Sequence, residues 1–283
     1  MNRIPRVAHF VFGLREQLEP FHLLHYLAIE TCRRIVQPET IYLHYHHLPF
    51  GLYWDAIRPH LELVRVSLAE EVLTASYDPR LVPMEYRYAH HADFVRLDAL
   101  IRQGGLYADI DTVFVRPFPD TFWNEKFVIG REIDVPDERT GELRPSLCNA
   151  LMLAEPGSIF ARTWRDQMAN ALNGTWSNHS GFLSHALSKE MPDQIRVEPE
   201  SSFFPVRPTP EGLEALFGKG NLELSKTYSI HLWAHLWWSP ERRDYSHRSA
   251  PEMTAQRLRS SDSPLAELVR PYLPCNDVDD LPD

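Results

Sequence analysis

The 283-residue chain is poor in cysteine, in surplus positive charge and in long apolar runs. Its three cysteines, Cys32, Cys148 and Cys275, are odd in number and far apart. That spacing excludes a disulfide framework or a zinc knuckle and fits isolated thiols in a reducing compartment. A formal net charge of -10 at pH 7 argues against a broad nucleic-acid-binding face, because phosphate recognition needs clustered Lys and Arg. One pocket can still be locally basic or hold a cation. No run approaches the roughly 18 apolar residues of a membrane span. The opening MNRIPRVAHFVFG is a poor signal peptide, since its apolar stretch is short and broken by His9. The expected location is cytoplasmic, with peripheral membrane attachment or export as an effector as the other routes.

What is present describes an ordinary globular protein: 43% hydrophobic and 24% charged residues, long enough to bury a large core. Val7–Phe12 reads as a buried first strand, and apolar spacing from Glu19 to Ile35 reads as a helix closed by Pro38. Thr40–Tyr45 and Leu61–Val66 are further strands, so the alternation predicts a parallel sheet with helices packed on it. Phe94, Leu97 and Ile101 mark a helix over His90–Arg102, ended by Gly104-Gly105. Leu106–Asp111 follows as a strand, with Val113–Val115 extended beyond it. Phe127–Gly130 and Asn149–Leu153 read as strands, Ile159–Leu172 and Gly181–Ser188 as helices. From Ser249 the composition turns to Pro, Ser and acidic residues, with one helical patch near Leu265–Val269 and a loose end at CNDVDDLPD.

Asp109-Ile-Asp111 carries the chemistry. On a strand, residues i and i+2 share a side, so two carboxylates project together. Such a pair repels unless a cation relieves it, and oxygen ligands suit Mg²⁺ or Mn²⁺, which also take phosphate oxygens. A diphosphate leaving group needs that neutralisation when a glycosyl bond breaks. Asp93 and Arg96 share a helix face, as a surface ion pair or as ligands for sugar hydroxyls and phosphate. In an extended Tyr228–Trp238, His231, Trp233, His235 and Trp237 fall on one face; either imidazole could complete a metal shell, or both could pack a core edge. His44, His46, His47, His90 and His91 are expected on exposed faces, with a place bordering the donor site as the alternative for His90-His91. Asn149 is either a strand-end cap or a donor-site residue. Asp109-Ile-Asp-Thr-Val-Phe114 also approximates the strand of haloacid-dehalogenase-type phosphatases, with Asp109 as nucleophile, although about a hundred residues precede it here. A non-catalytic nucleotide-sugar-binding protein is the other alternative.

The stretch Ala92-Asp-Phe-Val-Arg96, Leu100, Gly104-Gly-Leu-Tyr-Ala-Asp-Ile-Asp111 resembles the S-D-x-x-R, L, G-G-x-Y-x-D-x-D block of the DXD-containing sugar transferases. This is glycosyltransferase family 32, related to the clostridial glucosylating toxins and the α1,4-glycosyltransferases. Ile4–Phe12 is similar to that family's opening I-P-K-x-I-H-x-x-W strand, and Ser229–Trp237 to its closing H-x-W segment. The resemblance implies an α/β fold of the GT-A, Rossmann-like type: a single, mostly parallel central sheet with flanking helices. It places the catalytic domain over residues 1–248 and leaves 249–283 as a tail. It also implies retaining, Mn²⁺- or Mg²⁺-dependent transfer of a hexosyl unit from a nucleotide-sugar, UDP-linked by preference, to a glycan, lipid-linked glycan or protein hydroxyl, as in polysaccharide biosynthesis. By matching position Asp111 is the direct metal ligand, joined by Asp109, His231 and His235. Asp93 and Arg96 hold the donor sugar, His9, Phe10, Val11 and Phe12 line the base pocket, and Gly105, Tyr107, Asn149 and Trp237 complete the donor site. Phe12 stands where relatives often carry Trp, Ala92 where Ser is usual, and His235 where Gly or Ser is frequent.

Overall fold

A computed structural model describes residues 3–75, 87–219, 222–234 and 253–274. In chain order the strands are β1 (Val7–Val11), β2 (Thr40–Tyr45), β3 (Glu62–Arg65), β4 (Gly105–Ala108), β5 (Thr112–Phe114), β6 (Phe127–Arg131), β7 (Val135–Pro136), β8 (Leu143–Arg144), β9 (Leu147–Ala154), β10 (Arg196–Glu198) and β11 (Ser229–His231). Seven of them form one sheet in the order β10-β6-β9-β4-β1-β2-β3. β3, β2, β1 and β4 run parallel, as the strand–helix alternation predicts, and β9 lies antiparallel between β4 and β6.

The sheet is buried on both faces, and the two-residue strand period sorts its side chains. Leu106 and Ala108 of β4, Phe10 of β1 and Leu151 and Leu153 of β9 join one core with Leu24, Leu27 and Ala28. Tyr107, Val11 and Met152 point to the other face, against Phe94, Leu97, Phe160 and Trp164. The helix Leu23–Thr31 lies on the first face and the helices Arg87–Gln103 and Ile159–Ala171 on the second.

Most element assignments hold within a few residues, and four differ for identifiable reasons. The first helix starts at Leu23, because the His22 side chain accepts from the Leu24 N–H and caps it there, three residues after Pro20. The strand expected to reach Asp111 stops at Ala108. Asp109, Ile110 and Asp111 form a turn closed by the Thr112 N–H donating to the Asp109 carbonyl at 3.0 Å. His44, His90 and His91 are buried, not exposed. His44 is drawn in by β2, which lies between two strands; His90 packs its ring 4.6 Å from that of His179, and His91 accepts from the Ala69 N–H at 3.1 Å. Residues 253–274 contribute two helices, Ala255–Ser260 and Pro264–Val269, whose Leu258, Leu265 and Val269 are buried in the same core as Leu27. The terminal CNDVDDLPD lies outside the described residues. Among the described residues, no helix is long and apolar enough to cross a membrane.

Gly104 and Gly105 explain how the long helix meets the sheet. Their φ values of +66° and +102° lie in the left-handed region, where a Cβ is strained. A Cβ on Gly105 would stand 2.7 Å from the Val7 carbonyl oxygen, so only glycine lets β4 pair with β1 directly after the helix ends. That junction sets where Asp109 emerges.

Candidate active site

The strand ends open onto a cavity of about 390 Å³. Val11 and Phe12 from the end of β1, Asp93 and Arg96 from the helix Arg87–Gln103, Tyr107, Asp109 and Asp111 after β4, Asn149 of β9 and His231 of β11 all line it. A ligand crevice beyond the carboxyl ends of parallel strands is the ordinary placement in open α/β sheets.

At its floor, one ligand atom from each of Asp109, Asp111 and His231 lies within 4.8 Å of the others. The two carboxylates converge through the turn, not through the strand period. β11 brings His231 there by pairing antiparallel with β5, opposite Thr112. Its Nε2 lies 2.9 Å from Asp111 Oδ1, and the Ala234 N–H donates to Asp111 Oδ2 at 2.8 Å. The backbone reaches that position because Trp233 takes φ +54°, an unusual angle for a bulky residue. The indole is held by donating to the Val206 carbonyl and by its 4.3 Å ring contact with His231. The same turn ends the extended run at His231, so the expected single face of alternating His and Trp is interrupted at Trp233. His235 and Trp237 lie outside the described residues.

Among the described residues, the cationic or protonatable partners of this corner are Arg96 and His231. Burial raises the Asp109 carboxyl above its usual value, and Arg96 and His231 only partly oppose that. Burial alone would lower His231, but Asp111, then Asp109 and Glu132, outweigh it and hold the imidazole above its ordinary value. Two converging carboxylates and an imidazole are the residues that a divalent cation fits: oxygen and nitrogen donors within reach of one ion.

The neighbouring wall is different. The Arg96 guanidinium donates to the Asn149 carbonyl at 2.9 Å, lies 3.2 Å from Asp109 and 3.3 Å from Asp93, and stacks over Tyr107 at 4.7 Å. Asp93 accepts from Asn149 Nδ2 on one oxygen and from His179 Nε2 on the other, both at 2.8 Å. Burial would raise Asp93, yet Arg96 and His179 hold it below the usual carboxylate range. Tyr107 O–H donates to Asp109 Oδ1 at 2.6 Å, which fixes that carboxylate's rotamer.

Of the residues read from the sequence, Val11, Phe12, Asp93, Arg96, Tyr107, Asp109, Asp111, Asn149 and His231 meet in this cavity. His9, Phe10 and Gly105 are not among the lining. His9 is fully buried beneath it, with Nε2 2.9 Å from the Gly104 carbonyl and Nδ1 3.1 Å from His44. A carbonyl only accepts, so His9 carries its proton on Nε2 and accepts from His44. Phe10 packs in the core. The sequence reading missed Arg15, His25, Glu132, Trp176 and Trp233, which also line the cavity, and His179 behind Asp93. His25 lies 4.5 Å from the Phe12 ring and one helical turn into its helix, a position that gives no signal of its own.

A family model described as the glycosyltransferase sugar-binding region containing a DXD motif matches residues 63–128. The chain is 30% identical over 285 residues to Glucan organizing enzyme 1 of Cryptococcus neoformans var. grubii, an alignment covering 95% of this chain and 71% of the relative. The chain belongs to the DXD-containing glycosyltransferases. Among solved structures it is similar to the galactosyltransferase LgtC in complex with donor and acceptor sugar analogs, at 13% identity over 98% of each chain and a TM-score of 0.47. It is also similar to PaToxG glycosyltransferase, at 16% identity over 95% of this chain and 87% of that one, with a TM-score of 0.43. Membership in the DXD glycosyltransferases, with the mixed seven-stranded sheet and its flanking helices, bears out the expected GT-A-like fold and sets aside the phosphatase alternative.

Proposed function

We propose that this glycosyltransferase is a divalent-metal-dependent hexosyltransferase that retains anomeric configuration and uses a nucleotide-sugar, with UDP-sugars favoured. The observation that carries the proposal is the convergence of Asp109, Asp111 and His231, one ligand atom from each, at the floor of a cavity large enough for part of a nucleotide-sugar. Asp111 and His231, with Asp109, would hold Mn²⁺ or Mg²⁺, which supplies charge neutralisation for a departing diphosphate. Arg96 is held rigid by four partners and adds fixed positive charge beside the same place, so it needs no reorganisation as charge develops. Asp93, whose two oxygens are oriented by Asn149 and His179, is placed to accept from hydroxyls of the donor sugar. Phe12 offers an aromatic face to the base, braced edge-on by Phe21 at 5.0 Å. The relative named for glucan organisation makes a glucan chain the first acceptor to test.

The test is nucleotide release from UDP-glucose, UDP-galactose, UDP-N-acetylglucosamine, UDP-xylose and GDP-mannose, with and without Mn²⁺. Turnover of at least one donor that stops on chelation supports the reading. Metal-independent turnover refutes the cation's role, and no turnover or binding of any donor refutes the reading as a whole.

A further inference from the structure

Four carboxylates line the cavity: Asp93, Asp109, Asp111 and Glu132. The first three are accounted for. Asp93 is paired with Arg96 and His179, Asp109 with Arg96 and Tyr107, and Asp111 with His231. Among the described residues Glu132 has no ion pair. It follows β6 and accepts from the Ser146 hydroxyl at 2.5 Å on Oε1.

The sheet makes room for it. Between β6 and β9 the pairing moves from Ile129↔Met152 to Gly130↔Cys148, so three residues of β9, 149–151, have no partner on β6. A bulge of this kind re-aims side chains at the edge of a site. Both Asn149 and Glu132 reach the cavity wall there. Gly181 closes over the Ser146–Glu132 bond, where a Cβ would stand 2.0 Å from Ser146 Oγ and 3.3 Å from Glu132 Oε1. The half-buried Trp176 indole lines the same cavity and offers an aromatic face of the kind on which sugar rings stack.

We propose that Glu132 is a catalytic base on the acceptor side, receiving the hydrogen bond and then the proton of the attacking hydroxyl. This rests on the glycosyltransferase reading of the cavity. In the step, the hydroxyl oxygen bonds to the anomeric carbon on the face from which the diphosphate departs, which keeps the configuration, as the bond from that carbon to the diphosphate oxygen breaks. The electron pair leaves on the diphosphate, and the hydroxyl proton passes to Glu132. Ser146 fixes the rotamer by occupying one carboxylate oxygen. Burial raises this carboxyl, against the opposing pull of Ser146 and His231, which makes it a stronger proton acceptor than a surface glutamate.

The experiment uses the full chain with Mn²⁺ and whichever of the five donors above it hydrolyses fastest, with water as the acceptor. Glu132→Gln is expected to lower kcat for nucleotide release about a hundredfold, within the usual range for a general base, with the donor KM held within about twofold. Glu132→Asp should keep the donor KM and an intermediate rate, and it decides the matter if the glutamine variant does not fold. Unchanged kcat in either variant, or a loss of donor affinity matching the loss of rate, overturns the role of Glu132 alone. A wild-type chain that neither binds nor hydrolyses any donor overturns the parent reading and this assignment together.

Discussion

Two acidic networks face one cavity, and their charge is met in opposite ways. Around Asp93 every strong donor comes from the protein: Asn149, His179 and Arg96 hold both oxygens, and the carboxyl sits below its usual range. Beside it, among the described residues, Asp109 and Asp111 meet one imidazole and one arm of Arg96, and both Asp109 and His231 are raised. Residues of the same type therefore have different work. The first network is held by the protein's own donors, so its removal costs stability as well as the contacts it offers the donor sugar. On the proposed reading the second is completed by a cation, and its removal costs activity.

Asp111→Asn breaks the second network. It should reduce sugar transfer or donor hydrolysis by at least about a thousandfold, equivalent to about 4 kcal/mol of transition-state stabilisation. Its unfolding free energy should change by no more than about 1 kcal/mol, because relief of buried like charge offsets the lost hydrogen bond. Steady-state kinetics and urea denaturation of the same preparation check both halves. Asp93→Asn should instead cost stability, destabilising by about 3 kcal/mol through the unpaired charge left on buried partners. A variant at Asp93 as stable as wild type would erase the distinction between the two networks.

Buried histidines sharpen the comparison through pH. Burial lowers His9 and His90 to about 4 and His44 to about 3. In the unfolded chain each takes up a proton near 6.5, whereas the folded chain does not until about 4 or below. Their contribution to stability is thus complete above pH 6.5 and is lost as pH falls through that value. Each adds a slope of at most about 1.4 kcal/mol per pH unit. Denaturation midpoints at pH 7.5 and 5.5 should differ, with the lower pH less stable. His44→Gln should flatten that slope, and a pH-independent midpoint would show these imidazoles to be solvated. The smallest effect belongs to Phe12→Trp, which should change the donor KM by no more than about fivefold, about 1 kcal/mol, and leave kcat unaltered.

The sequence made the parallel half of the sheet legible, because β1, β2 and β3 are short apolar runs separated by turn signals. It also made Asp109 and Asp111 legible as a pair, though for the wrong geometric reason: the strand ends at Ala108 and a turn turns both carboxylates to the cavity. His231 was visible only as one of several histidines among tryptophans. Its partner Asp111 lies 120 residues away, and the pairing of β5 with β11 that joins them has no local signature. His179 and Glu132 gave no signal for a related reason. His179 sits in a π-helical turn, Asn178–Phe182, with no strong periodicity, and Glu132 reaches the site through a register shift between β6 and β9. Contacts that depend on bulges and distant strand pairing are set by tertiary structure and leave little trace in hydrophobic spacing. The burial of His90 and His91 was missed because polar residues on a helix next to apolar ones read as the solvent face.

The central claim is that Asp109, Asp111 and His231 together demand a divalent cation, and calorimetric titration of Mn²⁺ tests it most directly. Measured in two buffers of different ionisation enthalpy, wild-type protein should bind one ion with release of protons from the His231–Asp109 corner. Asp111→Asn should lose that binding while keeping its fold. Equal Mn²⁺ affinity in both proteins, or no saturable binding to either, would contradict the account.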